Sequence, residues 1–572
     1  MSNKGAIKFL QYVQVLLIIS IRLNAQGGMW SFMSGDTGTT ANAIFGTKGT
    51  PSSQNKPPGT YEACEWTDHN GNFWLYGGAM NGGGVSGDLW RFTPSTNEWT
   101  WVHGSGAANA VPVYGTKGSP SPNNTPGARC LGIMTWVDKN GDDLWLFGGS
   151  TPSSGVMNDL WRFTISTGQW TWMSGSNGGG SAGVYGIKGI PSSSNYPGAR
   201  CENNATWVDS IGNLWLFGGA DFNFDYYNDV WKFNPSSNEW TWMWGMPAAT
   251  NNSPFHAGKG VMGTQNDPGG RSVYAKFINK NELYILGSMH ASGSFRNDMW
   301  KFNIDSLQWT FVNGVITKND TGSMGAYCTY DSSNLPCAKL ENRACWNDAP
   351  CGFFVFGGSL VKPGSVGYYN DLWRYDIYND EWAIVSGTQH TSQIHSIGTP
   401  GIASIANHPA SRSGANAFFG KDGNLWMYGG ATIFPNGTWY TIKYTNDLWK
   451  FTFDTTCVQI CNAVFDSINT DSTITIIPEQ HLIIPNVFTP NGDGINDVFK
   501  VSMNGYENYS IQIYNRWGEI VFETIDILKH WNGNKNNDGD TMADGTYYYI
   551  ISVINSLRSE NEVHKGFITL LK

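Results

Sequence analysis

The chain has 572 residues, of which only 14% are charged, with 70 Gly, 27 Trp, 25 Tyr and 29 Phe. Ordinary soluble domains carry about a quarter charged residues, so this composition excludes a coiled coil or α-helical solenoid, and its aromatic content excludes disorder. The formal charge of −10 excludes nucleic acid, which needs a basic face, as a partner.

At the N-terminus, Lys4 and Lys8 precede an apolar stretch from Phe9 to Ile21 that Gln11 and Gln14 interrupt. Leu23-Asn24-Ala25 follows as a small-residue cleavage site. Residues 1–25 are too short and too interrupted for a good spanning helix, so they are read as a secretory signal peptide. Its removal takes away Lys4, Lys8 and Arg22 and leaves the mature chain more acidic.

From residue 30 onward one unit recurs: an apolar strand, Gly-Gly, a variable loop, Asp-apolar-Trp-basic-aromatic, a short turn and Trp. Its second copy reads Gly148-Gly149, Asn158-Asp159-Leu160-Trp161-Arg162-Phe163 and Trp170. The central Trp falls at 90, 161, 231, 300, 373 and 449, which gives six copies. The fourth departs at Gly287-Ser288. Each copy reads as four short strands, a to d. In the second, strand a starts near Pro126-Gly127-Ala128-Arg129 and runs to Trp136, b is Leu144 to Phe147, c is Leu160 to Thr164 and d is Gln169 to Met173. The Asn140-Gly141 turn supports an a–b hairpin. The sixth copy has no strand d of its own. Trp30-Ser31-Phe32-Met33-Ser34-Gly35 matches Trp170-Thr171-Trp172-Met173-Ser174-Gly175, so the N-terminal strand is expected to complete the last unit.

This pattern resembles the kelch repeat, in which each copy is a four-stranded propeller blade. The resemblance implies an all-β, six-bladed kelch-type β-propeller over residues 26–454, closed by the N-terminal strand. The period is longer than the kelch value of about 50, and the surplus lies between blades.

Antiparallel strands put the short a–b and c–d connections on one face and the long b–c and d–a connections on the other. The d–a connections repeat Ile44-Phe45-Gly46-Thr47-Lys48-Gly49, Val113-Tyr114-Gly115-Thr116-Lys117-Gly118 and Val184-Tyr185-Gly186-Ile187-Lys188-Gly189. Tyr114 and Tyr185 either plug the gap beneath their own loops, the preferred reading, or contact ligand. Arg129, Arg200, Arg271 and Arg412 open strand a in four units, with Lys339 in the fifth and Tyr61 in the first. Strand a is innermost in kelch-like propellers, so these groups could ring the channel mouth and hold a carboxylate or sulfate. The other reading, which is preferred, pairs each Arg with the Asp that opens strand c. His256, His290, His390, His395 and His408 all fall in long connections; His256 and His290 join the candidate ligand contacts, although no tight metal-ligand spacing appears.

Nine cysteines in an exported chain admit disulfides; Cys345–Cys351, Cys328–Cys337 and Cys457–Cys461 are close enough in sequence, while Cys130 and Cys201 read as small buried residues. No nucleophile elbow or phosphate-binding loop appears.

Residues 455–481 lose the repeat and read as a linker. Then follow Pro485-Asn486-Val487-Phe488-Thr489-Pro490-Asn491-Gly492-Asp493-Gly494, Ile511-Gln512-Ile513-Tyr514-Asn515-Arg516-Trp517-Gly518, Asp544-Gly545-Thr546-Tyr547-Tyr548-Tyr549 and the terminal Lys565-Gly566-Phe567-Ile568-Thr569-Leu570-Leu571-Lys572. Residues 482–572 resemble the gliding-motility-associated C-terminal domain of Bacteroidota, the type B sorting domain of the type IX secretion system. That family implies a small antiparallel β-sandwich read by the outer-membrane secretion machinery. Asn491, Asp493 and Asp497 place oxygens along a Gly-containing loop, which could hold calcium; an Asx-rich turn capped by its own side chains is the preferred alternative.

The expectation is a secreted or cell-surface binding protein that captures extracellular glycan or protein on its long-loop face, without catalysis. The competing expectation is a carbohydrate-active enzyme of the oxidase or sialic-acid mutarotase type.

Overall fold

A computed structural model describes residues 26–38, 41–454 apart from 291–293, 349, 363–364 and 437–438, then 457–458, and 481–571 apart from 486, 492–496, 505, 528 and 556–559. The signal peptide and most of the linker lie outside the described residues. The chain divides into two compact units, Met1–Ile468 and Asn469–Lys572.

In the first unit each repeat forms an antiparallel sheet in the order a-b-c-d. Sheet 1 joins Cys64–Thr67, Phe73–Tyr76, Leu89–Thr93 and Glu98–His103. Sheet 2 joins Met134–Val137, Asp143–Phe147, Leu160–Thr164 and Gln169–Ser174. Sheets 3 and 5 follow the same order, from Thr206–Val208 to Glu239–Trp244 and from Cys345–Asp348 to Glu381–Ser386. In sheet 4 the middle strands lengthen to Glu282–His290 and Ser294–Asn303. The cause is legible: Gly287 keeps a φ of 64°, but Ser288 replaces the second left-handed Gly, so the ladder resumes beyond it.

Sheet 6 joins Asn416–Phe419, Leu425–Tyr428 and Leu448–Phe453 to the N-terminal strand Gly28–Ser34. The register pairs Trp30 with Phe451 and Phe32 with Trp449. Trp30 is 1% exposed, and its ring lies 5.5 Å from Phe356 of sheet 5 and 5.0 Å from Phe451. First strands neighbour one another in succession around all six sheets, and that of sheet 6 lies against that of sheet 1.

The regular part of strand a in sheet 2 is shorter than the sequence suggests. Leu131 and Gly132 both have a φ of 63°, which breaks the extended run after Arg129 and delays the strand to Met134.

Neighbouring sheets are joined through the Gly-Gly pairs. Gly149 N–H donates to the Arg200 carbonyl at 3.0 Å, and the same bond runs from Gly78 to Arg129, Gly219 to Arg271, Gly358 to Arg412 and Gly430 to Thr60. A Cβ on Gly148 would sit 2.6 Å from the Arg200 carbonyl oxygen, so the close approach requires glycine. Between sheets the aromatics interlock: the Trp66, Trp136, Trp207 and Trp346 indoles each donate to a carbonyl of the next sheet.

A buried asparagine fixes every long d–a connection. Asn124 Nδ2 donates to the Ser119 carbonyl at 3.0 Å and to the Trp170 carbonyl of strand d at 3.1 Å. Asn55, Asn195, Asn266, Asn334 and Asn407 repeat both bonds, and the strand-d partner of Asn407 is Trp30.

The cysteine pairing expected from sequence proximity is corrected. Cys328 is joined to Cys457, 129 residues away, while Cys337 and Cys345 are free thiols and Cys351 is disulfide-bonded elsewhere. Close sequence spacing misled because Cys328 and Cys457 meet where chain ends converge. Gly27, at the entry to the N-terminal strand, receives the Asp454 N–H and donates to the Val385 carbonyl beside that disulfide.

The second unit is a five-stranded sheet in the order Val487–Phe488, Glu560–Leu570, Gly545–Asn555, Tyr506–Tyr514, Ile520–Thr524. The expected all-antiparallel arrangement is corrected at one edge, where Val487–Phe488 runs parallel to Glu560–Leu570; a two-stranded ladder of His481–Ile483 and Ser502–Asn504 accompanies it. Its core holds Phe488, Phe499, Trp531, Tyr547 and Ile551. Asp493 of the expected calcium loop lies outside the described residues.

Trp30→Ala should lower stability by about 3–5 kcal/mol, as large aromatic truncations in a packed core do. Deleting residues 26–36 should lower the melting temperature of the whole first unit. An unchanged calorimetric transition in either variant would contradict the role of this strand.

Candidate functional site

The basic residues that open each repeat are not free to meet a ligand. Arg129 donates from Nη1 to Asp159 Oδ1 at 2.9 Å and from Nη2 to Oδ2 at 3.0 Å. Arg200 meets Asp229 at 2.7 and 2.9 Å, Arg271 meets Asp298 at 3.1 and 2.9 Å, and Arg412 meets Asp447 at 2.8 and 2.7 Å. Lys339 makes the same contact with Asp371 at 2.5 and 2.6 Å. The four arginine side chains are wholly buried. The carboxylates are shared further: Trp161, Trp231, Trp300, Trp373 and Trp449 each donate an indole N–H to Oδ2 of the same Asp. Burial opposes ionisation of Asp447, but the Arg412 guanidinium and its hydrogen bonds outweigh it and hold the carboxyl below its ordinary range.

The reading of Arg129, Arg200, Arg271 and Arg412 as ligand contacts is therefore corrected in favour of pairing. Sheet 1 lacks the pair, and the residue in the arginine's place is Thr60, not Tyr61, because Thr60 carries the carbonyl that receives Gly430 N–H. Asp88 there is held by the Gly106 N–H and the Trp101 indole instead.

The loop aromatics are plugs. Tyr114 donates its hydroxyl to Asp159 Oδ2 at 2.8 Å and packs 5.1 Å from Trp161; Tyr185 donates to Asp229 Oδ2 at 2.7 Å and packs 4.8 Å from Trp231. Their assignment as ligand contacts is corrected for the same reason: both hydroxyls already serve the ion pairs. His256 occupies the same loop position in the next connection, stacked on Phe311 at 4.3 Å. His290 ends a strand of sheet 4 opposite Arg271; its side chain lies outside the described residues. Among the described residues no group of three or more His, Cys, Asp and Glu side chains is arranged to hold a metal ion.

The unassigned chemistry lies along the central channel, on the first strands. One register position contributes Glu65, Thr135, Thr206, Lys276, Cys345 and Ala417 from sheets 1 to 6, and these line a cavity of about 300 Å³. Arg343 reaches across to Glu65, with Nε at 2.8 Å and Nη2 at 2.7 Å from Oε2, and Asn416 donates to the same oxygen. Burial pulls the Lys276 ammonium down to about 8.

Nearer the long-loop end, three glutamates come from alternate repeats: Glu62, Glu202 and Glu341. All three have left-handed backbones, with φ of 54°, 54° and 57°. Tyr274 donates its hydroxyl to Glu202, and Tyr61 bonds Glu341. Glu62 is fully buried, and neither of its carboxylate oxygens has a hydrogen-bond partner. Burial, then the charges of Glu202 and Glu341, push its carboxyl well above the ordinary range. Burial raises Glu202 to about 7, against the Tyr274 hydrogen bond and with the charge of Glu341. Sequence reading passed over these residues because it followed what the repeats share. The signal was there: Glu62, Glu202 and Glu341 stand just beyond the residues aligned with Arg129.

Arg412→Met leaves Asp447 buried without its cation and should cost about 3–5 kcal/mol in chemical denaturation; a loss below about 1 kcal/mol would show the pair to be dispensable. A carboxyl raised from 4.5 to about 7 on folding contributes stability that is full below pH 4.5 and lost as pH rises through 7. Glu202→Gln should therefore flatten the fall in melting temperature across that window; an identical pH profile would contradict the assignment.

Residues 482–570 match the CHU_C Type IX secretion signal domain. The chain is also similar to Kelch domain-containing protein 3 of Rattus norvegicus, Mus musculus and Homo sapiens, at 26% identity over 211 residues, covering 29% of this chain and 50% of the relative. It thus spans about half the length of the curated relatives it matches. A solved structure titled "Structure of YjhT" aligns with a TM-score of 0.42 and 13% identity, over 69% of this chain and 96% of that one. The chain carries a type IX secretion signal domain at residues 482–570, and its repeats are similar to those of kelch-domain proteins.

Proposed function

We propose that the chain is an exported, surface-presented binding protein whose six sheets are the blades of a closed propeller, and that it captures extracellular glycan or protein on the long-loop face without catalysis. The bond from Gly430 N–H to the Thr60 carbonyl and the N-terminal strand in sheet 6 support the closure. The signal domain supports export through the type IX machinery and display outside the cell.

One observation carries the binding reading. On the b–c connection of sheet 3, Phe222 is 71% exposed and Phe224 52% exposed, and Phe224 is held at a φ of 61°. The loop is braced, not slack: Asp221 Oδ1 accepts from the Asn223 and Asp225 N–H groups, and Asn251 clamps Asp225 and Tyr226 from the adjoining d–a connection. Two large aromatic faces on a pre-ordered loop suit stacking on a sugar ring or burial in a protein interface. A second reading, a carbohydrate-active enzyme, draws on Glu202 and Lys276, whose shifts leave both near neutrality in the channel.

A glycan array and a surface-protein binding screen with residues 26–572 test the first reading. Phe222→Ser combined with Phe224→Gly should abolish binding and leave the melting temperature within about 2 °C. Binding unaffected by the pair would move the site elsewhere. Turnover of a sugar substrate that Lys276→Met abolishes would favour the enzyme.

A further inference from the structure

The glutamate cluster at the long-loop end of the channel is not explained by the fold. A buried carboxylate without a hydrogen bond costs several kcal/mol, and the cation whose charge favours Glu62, Arg343, makes no ion pair with it. The guanidinium within reach, Arg343, is turned to Glu65. Tyr274 has one hydroxyl proton, and it goes to Glu202. The burial is not a packing accident at one position, because Glu202 and Glu341, from two other repeats, are near enough for their charges to act on Glu62.

The surroundings define what would satisfy the cluster. Tyr444, from the b–c connection of sheet 6, stacks on Tyr61 at 5.3 Å with the rings 13° from parallel, and both rings feel the charges of Glu62 and Glu341. Tyr274 closes another side. Carboxylates bordered by phenol rings suit a cation that carries alkyl or planar surface as well as N–H donors, since ring faces attract such a cation and carboxylates accept its hydrogen bonds. A bare divalent ion gains nothing from the rings.

We propose that Glu62, Glu202 and Glu341, with Tyr61 and Tyr444, form a binding site for one organic cation, a primary ammonium or guanidinium group presented by a ligand on the long-loop face. The cation takes the unpartnered oxygens of Glu62 and lies between the other two carboxylates. The group comes from a basic polypeptide side chain or from an amino sugar, which share this chemistry. The site does not depend on the Phe222–Phe224 rim.

Isothermal titration of residues 26–572 with Nα-acetyl-lysine amide and with glucosamine tests this, with N-acetylglucosamine as the uncharged control. At least one amine should bind and the control should not. Binding of the lysine derivative alone assigns a polypeptide source, and binding of glucosamine alone assigns an amino sugar. Glu62→Gln should weaken binding by about tenfold or more, the loss expected for a charged hydrogen bond. Affinity of the unmutated protein for the protonated amine should fall as pH drops from about 8 to about 5, because protons compete for the carboxylates; this arm stands even if Glu62→Gln fails to fold. Ile211→Ser, exposed on a short a–b connection away from the long-loop face, should leave the affinity unchanged. Absence of binding by either amine at both pH values, an affinity that Glu62→Gln or acid does not reduce, or calcium binding in place of amine binding overturns the proposal.

Discussion

A buried ion pair between the residue that opens strand a and the aspartate that opens strand c organises most of the repeats. In sheet 2 the arginine stands before the regular part of strand a and the aspartate directly before strand c, so the pair ties the two strand starts together and fixes the turn between b and c. Its guanidinium also reaches the backbone, as Arg129 does at the Gly148 and Pro126 carbonyls, and its carboxylate takes the Trp161 indole and the Tyr114 hydroxyl. A charge pair this deep is favourable only when nearly every lone pair and proton is used. The node therefore draws in the Gly-Gly turn, the strand-c tryptophan and the preceding connection together. The backbone carbonyl of the same arginine receives the neighbouring sheet's Gly N–H, so one residue joins two levels of the architecture.

The repeat was legible because its most costly elements are also its most regular. Trp at a fixed offset from Asp, and Gly-Gly at a fixed offset before it, announce four strands per unit. Trp30 announces that the N-terminal strand belongs to the last sheet. The role of the arginines was legible only as two alternatives, since a ring of ligand contacts and a set of ion pairs leave the same periodic trace. Burial decides between them, and burial is a property of the assembled sheets. The substitution in sheet 1 was misplaced by one residue because the stretch from Pro58-Gly59 to Thr60 is one residue shorter than that from Pro126-Gly127 to Arg129. The Cys328–Cys457 bond was hidden because it joins the connection between sheets 4 and 5 to the residues just after sheet 6, which only the assembled sheets bring together.

The unusual electrostatics of the channel fall where the repetition fails. Shared residues build the sheets, and six charged side chains that the copies do not share lie along the channel: Glu62, Glu65, Glu202, Lys276, Glu341 and Arg343. No periodicity marks them, so a search for repeated motifs passes over them. Burial raises the proton affinity of Glu202 and lowers that of Lys276, as it does not for ordinary surface groups. The rim of the long-loop face shows the complementary property, with Phe222 and Phe224 left in water on a braced loop.

The claim that the ion pair is structural and not a ligand site is tested most directly by a double-mutant cycle on Arg200 and Asp229, using Arg200→Met, Asp229→Leu and the pair, with stability read by chemical denaturation. If the pair holds the sheet, each single variant strands a buried charge, and the double variant should lose less than the sum of the two, with a coupling of about 2–3 kcal/mol. A coupling near zero would mean that the two groups act independently, and would contradict the account.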